Sequence, residues 1–200
     1  MDEEEPTVAQ TETAVREVEG VELPPAGTYA FDKTHTSIEF VARHMLSKVR
    51  GRFDGFDGKV VIGDSPEDSF AEVEIDAATI ETKTEGRDNH LRSADFLDVE
   101  TFPKLAFRSR EIRPTGGSTF ELVGDLTIKD VTREVVLDAE FLGVGQAPMP
   151  GAPLHVAFSA STEIEREDWD MTWNVAIETG GWLVGKKVRI EIETELQLQA

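Results

Sequence analysis

The sequence predicts an all-β fold: an antiparallel barrel of about eight strands with a short helical excursion near its mouth. Three observations lead there. Apolar residues recur with period two, turn-forming residues separate those runs, and several runs reach about ten residues, longer than the usual strand. Ile38, Phe40 and Ala42 alternate with Glu39, Val41 and Arg43, and Val73 and Ile75 with Glu72, Glu74 and Asp76. Leu105 and Phe107 are separated by Ala106. In the second half one face is carried by Phe120, Leu122, Gly124, Leu126 and Ile128, then by Val135, Leu137, Ala139 and Phe141, then by Leu154, Val156, Phe158 and Ala160. The final run sets Val188, Ile190, Ile192, Leu196 and Leu198 against Arg189, Glu191, Glu193, Glu195 and Gln197.

Turns are expected at Asp57-Gly58, Gly63 to Pro66, Pro114 to Gly117, Lys129-Asp130, and in the loop from Gly143 to Pro153 with its three prolines. Short turns join neighbouring strands in antiparallel order. Long, twisted strands that are apolar on one face tend to curl shut, because closure removes exposed edges. A two-sheet sandwich is the alternative architecture and would leave no cavity.

The chain has 200 residues and a formal net charge of −20, from 20 Lys plus Arg against 40 Asp plus Glu. Such a surface repels nucleic-acid phosphates and anionic bilayers, so no nucleic-acid partner and no stable membrane insertion are expected. The absence of cysteine excludes disulfides, thiolate metal sites and cysteine nucleophiles. Met1 to Glu5 carries four acids where a signal peptide needs a basic start and an apolar stretch, and no run is long enough to span a membrane, so a cytoplasmic location is expected. Residues 1–25 hold eight acids and one base, net −7, with no aromatic residue, and read as a disordered acidic tail ahead of a barrel domain over 26–200 that retains −13. Pro24 and Pro25 mark the boundary.

Thr84 to Pro103 breaks the alternation. It mixes charges with Leu91, Phe96, Leu97, Val99 and Phe102 at irregular spacing, which suits a short helix and a packed loop across the barrel mouth, ended by Pro103. Within it, Arg87-Asp88-Asn89-His90-Leu91-Arg92-Ser93-Ala94-Asp95-Phe96-Leu97-Asp98-Val99, followed by Phe102-Pro103, resembles the signature of the YceI family of lipocalin-like, polyisoprenoid-binding proteins. Further elements resemble the family in order: Asp32 with His35 to Phe40, Val41 to His44, Val49 to Phe53, Phe107-Arg108-Ser109, Gly124 to Ile128, Val131-Thr132-Arg133, and Arg166 to Trp169. The chain departs from the family at Thr36, usually Ser, at Asp130, usually Gly, and at Trp169-Asp170, usually Phe-Gly.

The resemblance implies an extended lipocalin-like barrel that carries or sequesters a long apolar molecule, such as a polyprenyl phosphate, an isoprenoid quinone or a fatty amide. It also implies homodimers. No cofactor is expected beyond such a bound lipid or quinone. For the ligand tail the inward alternation and the motif nominate Phe40, Phe53, Val73, Ile75, Leu91, Phe96, Phe107, Leu122, Leu126, Leu137, Phe158 and Trp169. For an anionic head group the cations Arg43, His44, Arg50, Arg52, Arg87, His90 and Arg92 are the candidates, against the reading in which Arg87, Asp88 and Arg92 form structural ion pairs. Trp173 and Trp182 flank Gly180-Gly181 and could seal one end or stand exposed. There is no nucleophile elbow, phosphate-cradling glycine loop or zinc helix, so no catalytic residue is assigned and the chain is read as a non-enzyme. The competing idea, an isomerase or cyclase using the same cavity, would rest on His90 and Asp88. His35, His44, His90 and His155 lack metal-ligand spacing, and no metal site is expected unless folding assembles one.

Overall fold

The structure is a computed structural model that describes residues 15–18, 20–149, 151–178 and 180–199. Its strands are β1 (Arg16–Val18), β2 (Val21–Leu23), β3 (Gly27–Phe31), β4 (Ser37–His44), β5 (Ser47–Phe53), β6 (Phe56–Ile62), β7 (Phe70–Asp76), β8 (Ile80–Glu81), β9 (Lys104–Gly116), β10 (Thr119–Ile128), β11 (Val131–Gln146), β12 (Leu154–Glu165) and β13 (Val184–Leu198), with one α-helix, α1 (Glu85–Arg92). Every strand pairing between these elements is antiparallel. The hydrogen-bonded ring runs β3-β6-β7-β9-β10-β11-β12-β13 and closes on β3, a barrel of eight strands, as the alternation predicts.

Closure depends on β13 changing partners. One edge pairs with β12 along eleven residues, while the other pairs with β4 from Val184 to Glu193 and then with β3 from Leu196 to Leu198. Between β3 and β4 the chain bends through Asp32 to Thr36, so the two act as one strand split between the ring and a flap. That flap consists of β4, β5 and β8. Extra residues bulge the long strands where the register shifts: Arg110 on β9, opposite Val123 and Gly124 of β10, and Leu142 on β11.

The predicted inward face is the one buried. Val135, Leu137, Ala139 and Phe141 on β11 are buried while Glu134, Asp138 and Glu140 are exposed, the period-two result of a pleated strand with one apolar side. One core cluster fills the middle and the end where α1 lies, and includes Ile38, Ile75, Leu105, Leu126, Leu137, Trp169 and Met171. A second, at the opposite end, joins Tyr29, Ile62, Phe141, Val156 and Leu196. Tyr29 is wholly buried, its hydroxyl donates to the Pro25 carbonyl at 2.7 Å, and desolvation holds its pKa above the ordinary phenol value.

Several local expectations shift. Asp57-Gly58 is not a turn but part of β6, with Gly58 pressed against the Glu72 backbone where a side chain would collide. Strand β11 runs to Gln146 before the proline-containing loop begins, and β9 runs to Gly116. The tail does not extend to residue 25: β1 and β2 form a hairpin, Val21 is buried, and Arg16 donates to the Gly63 carbonyl at 2.7 Å and to Pro24 at 3.0 Å. Periodicity could not reveal a hairpin of three-residue strands. Residues 1–14, the remainder of the expected tail, lie outside the described residues. Of the two aspartates at the family's usual glycines, Asp170 does occupy the left-handed region (φ 56°), while at Lys129-Asp130 the lysine takes it (φ 57°). Asp tolerates that conformation better than most side chains.

Candidate functional site

Inside the ring is an apolar cavity of about 200 Å³. Its lining is drawn from strands on every side: Phe31, Phe40 and Phe53; Phe70, Val73 and Ile75; Leu105, Phe107 and Ile112; Phe120, Leu122, Leu126 and Ile128; Val135, Leu137 and Ala139; Phe158 and Ala160; Ile190, Ile192 and Leu196. On β10 alone it extends from Phe120 to Ile128, roughly 20 Å along a barrel axis to which strands tilt by about 40°.

The space is created at identifiable positions. Phe120, Ala139, Ala160, Ile192 and Ile38 are successive cross-strand partners, so two neighbouring alanines leave a gap in one tier of the wall. Elsewhere glycine lets a ring lie flat against the sheet. A Cβ on Gly124 would stand 2.6 Å from the Phe107 ring, and the Phe40 ring occupies the place of a Cβ on Gly51. The two glycines thus position two of the cavity's aromatic walls.

Nine of the twelve residues nominated for the tail line this cavity: Phe40, Phe53, Val73, Ile75, Phe107, Leu122, Leu126, Leu137 and Phe158. Leu91, Phe96 and Trp169 do not, and belong to the packing at the α1 end. Trp169 is buried and donates its indole N–H to the Leu126 carbonyl at 3.2 Å. Phe96 packs against His90 and Trp173, with the Arg166 guanidinium 5.9 Å from its ring centroid. Phe31, Phe70, Phe120, Ile190 and Ile192 are wall residues that were not nominated, although the alternation had placed Phe120, Ile190 and Ile192 on the inward face.

None of the seven candidate head-group cations lines the cavity. Arg92 donates to the carbonyls of Ile80 at 2.6 Å and Ala78 at 2.8 Å. Arg87 donates to the Thr82 hydroxyl at 2.7 Å and the Thr82 carbonyl at 2.9 Å, and buried Asp88 accepts from the Thr82 N–H at 2.8 Å and from its hydroxyl. The motif therefore fastens α1 to the chain before it through backbone and threonine contacts, rather than through ion pairs among its own charges. His90 is turned away from the cavity, with Nε2 2.9 Å from the Asp95 carboxylate and its ring edge-on to Trp173 at 4.5 Å. Asp88 and His90 have separate partners, and neither is among the residues that line the cavity.

Arg50 bridges Glu39 and Glu191 on the outer face, and holds the Glu191 pKa below the ordinary glutamate value. Arg52 pairs with Asp54 and Glu81, Arg43 donates to Leu46, and His44 sits at the end of β4. A larger outer hollow of about 550 Å³ is lined by Glu39, Arg50, Asp138, Glu140, Ser159, Ser161, Arg189, Glu191 and Glu193, a solvated polar surface in which both arginines are already engaged. Trp182 stands exposed, as do Met45, Leu46 and Val175.

A charged residue that the sequence placed in a family-like element without nominating it for the site is Arg166. It is 3% exposed, donates to the carbonyls of Gly185 at 3.0 Å and of Met171, and desolvation lowers its pKa. It ties the 3-10 turn Arg166–Trp169 to the start of β13. Folding also brings together Asp32, His155 and Glu195, with His35 beside them, a cluster that sequence spacing could not show.

A closed antiparallel barrel with an apolar interior and polar outer faces defines a lipocalin-like architecture. The chain belongs to the YceI family: the YceI-like domain model matches residues 29–196. A UPF0312 protein of Staphylococcus aureus strain MSSA476 is 40% identical over 173 residues, covering 85% of this chain and 97% of that protein. BcnA of Burkholderia cenocepacia shares the fold at a TM-score of 0.70 with 22% identity, over 82% of this chain and 98% of its own. A polyisoprenoid binding domain from Saccharophagus degradans does so at 0.63 with 12% identity, over 88% of this chain and all (100%) of its own.

Proposed function

We propose that this protein holds one long, slender apolar molecule along the barrel axis and carries or sequesters it, without transforming it. The apolar interior carries this reading: the walls meet along most of the barrel yet leave a lengthwise gap. Each methylene moved from water into such a space contributes about 0.8 kcal/mol before ordering costs, so a chain-like guest needs few polar contacts. The gap is narrower than the roughly 300–1,000 Å³ of most ligand pockets. A guest must therefore be thin, or displace some of the seven phenylalanines in the wall. The polyisoprenoid-binding description of the Saccharophagus domain is consistent with a prenyl chain.

The apolar lining bears on the head group as well. The surface of the cavity is apolar throughout, and no Lys, Arg or His is among the described residues that line it. A buried phosphate would find no cation there, and an unpaired buried anion is costly. Neutral heads, such as an isoprenoid quinone, a prenol or a fatty amide, suit such a wall better than the charge of a polyprenyl phosphate. Native mass spectrometry of gently purified protein, followed by solvent extraction, tests the proposal. A co-purifying neutral lipid at one per chain is the expected result. An empty barrel that also fails to take up quinones, prenols or fatty amides would refute it.

A further inference from the structure

At the end of the barrel opposite α1, the β3 to β4 bend, the first residues of β12 and the last third of β13 bring two imidazoles and two carboxylates to one point on the outer surface. Asp32 Oδ2 lies 3.0 Å from His35 Nδ1 and 3.9 Å from His155 Nδ1. Glu195 Oε2 lies 3.4 Å from His155 Nδ1 and 4.0 Å from His35 Nδ1. The donor atoms of Asp32, His155 and Glu195 all fall within 4.8 Å of one another. We propose that Asp32, His155 and Glu195, with His35 hydrogen-bonded to Asp32 beside them, form a binding site for one divalent transition-metal ion of the zinc class, which clips together the strands where β13 changes partners.

Geometry supports this. Zinc takes nitrogen and oxygen ligands at about 2.0–2.2 Å, so the edges of a tetrahedral site measure about 3.3–3.6 Å. The separations of His155 Nδ1 from the two carboxylates, 3.4 and 3.9 Å, lie close to that range. An independent sign is that His155 Nδ1 is buried yet has no hydrogen-bond partner among the described residues. A buried imidazole nitrogen is normally satisfied, and a metal ion between it and the two carboxylates would satisfy it.

The surroundings also suit an ion. The Asp32 side chain is only 10% exposed. Thr34 occupies Oδ1 through both its N–H, at 2.9 Å, and its hydroxyl, at 2.7 Å, leaving Oδ2 directed at the cluster. Gln197 donates to Oδ2 from 3.2 Å, an outer contact of the kind that fixes a ligating carboxylate. Two carboxylates balance the charge of a divalent ion, and an imidazole beside them favours zinc, cobalt or nickel over calcium or magnesium.

The test is a titration of chelator-treated full-length protein with Co²⁺, read by visible absorption, and with Zn²⁺, read by calorimetry. Expected are saturation at one equivalent, bands of a tetrahedral nitrogen-oxygen site, and displacement of Co²⁺ by Zn²⁺. His155→Ala and Glu195→Gln should each weaken binding at least ten-fold, and Gln197→Ala about ten-fold. Glu195 is partly exposed, so its variant remains informative should His155→Ala fail to fold. Absence of a saturable site, or equal binding by wild type and Glu195→Gln, would overturn the proposal and assign any weak uptake to the general acidic surface.

Discussion

Replacing Ala139 or Ala160 with phenylalanine should close the cavity while leaving the barrel intact. Both alanines line the gap and are direct cross-strand partners, between Phe120 and Ile192. A cavity of about 150 Å³ suffices to house a benzene molecule, so one added phenyl ring takes up most of the available 200 Å³. If that ring excludes four methylenes of a guest, about 3 kcal/mol is lost, a weakening of roughly 200-fold. The fold should tolerate the change, since the ring enters existing space, and overpacking typically costs about 1–3 kcal/mol. Binding can be read from the fluorescence of cis-parinaric acid on titration, with competition by geranylgeraniol, and folding from circular dichroism melts. Variants that remain folded and bind both molecules as the wild type does would refute the assignment of the interior as the binding site.

Arg92→Met should remove the bonds to the Ile80 and Ala78 carbonyls, cost about 2–3 kcal/mol and lower the melting temperature by roughly 5–10 °C, without changing parinaric acid affinity in the folded protein. A selective loss of affinity would restore Arg92 as a head-group residue. Tyr29→Phe should cost about 1 kcal/mol by leaving the Pro25 carbonyl without its donor, seen as a lower urea midpoint with an unchanged slope. Arg50→Met concerns acid stability. The arginine depresses the folded-state pKa of Glu191, so its contribution is present above the ordinary glutamate pKa and fades as pH falls through the depressed value. The stability difference between wild type and Arg50→Met should accordingly be larger at neutral pH than in acid, and the Glu191 carboxylate should titrate higher in the variant by NMR. A pH-independent difference would contradict the pairing.

The barrel was legible because period-two alternation on β10 to β13 directly expresses which side of a pleated strand is buried. The same alternation identified most of the cavity wall, since a residue facing inward has only the core or the gap to face. What it could not do was separate those two fates: Trp169 and Phe96 look like wall residues, yet plug the α1 end. The cations misled for a related reason. Arg87 and Arg92 sit in a distinctive motif, but their partners are backbone carbonyls, two threonine hydroxyls and the Asn89 amide oxygen, and backbone acceptors leave no trace in the sequence. Asp32, His155 and Glu195 are far apart along the chain and meet only through the switch in β13 pairing. The β1-β2 hairpin escaped notice because acidic composition outweighed Val21 and Pro24, the residues that become buried.

Photo-crosslinking with a diazirine placed midway along a prenyl alcohol tests the account most directly, with attachment sites located by peptide mass spectrometry. The lengthwise gap predicts attachment to interior positions such as Leu122, Phe107 and Ile190, at one label per chain, abolished in Ala139→Phe. Attachment confined to exposed positions such as Leu46 and Trp182, and unaffected by Ala139→Phe, would show that the chain lies on the surface and that the barrel interior is only core.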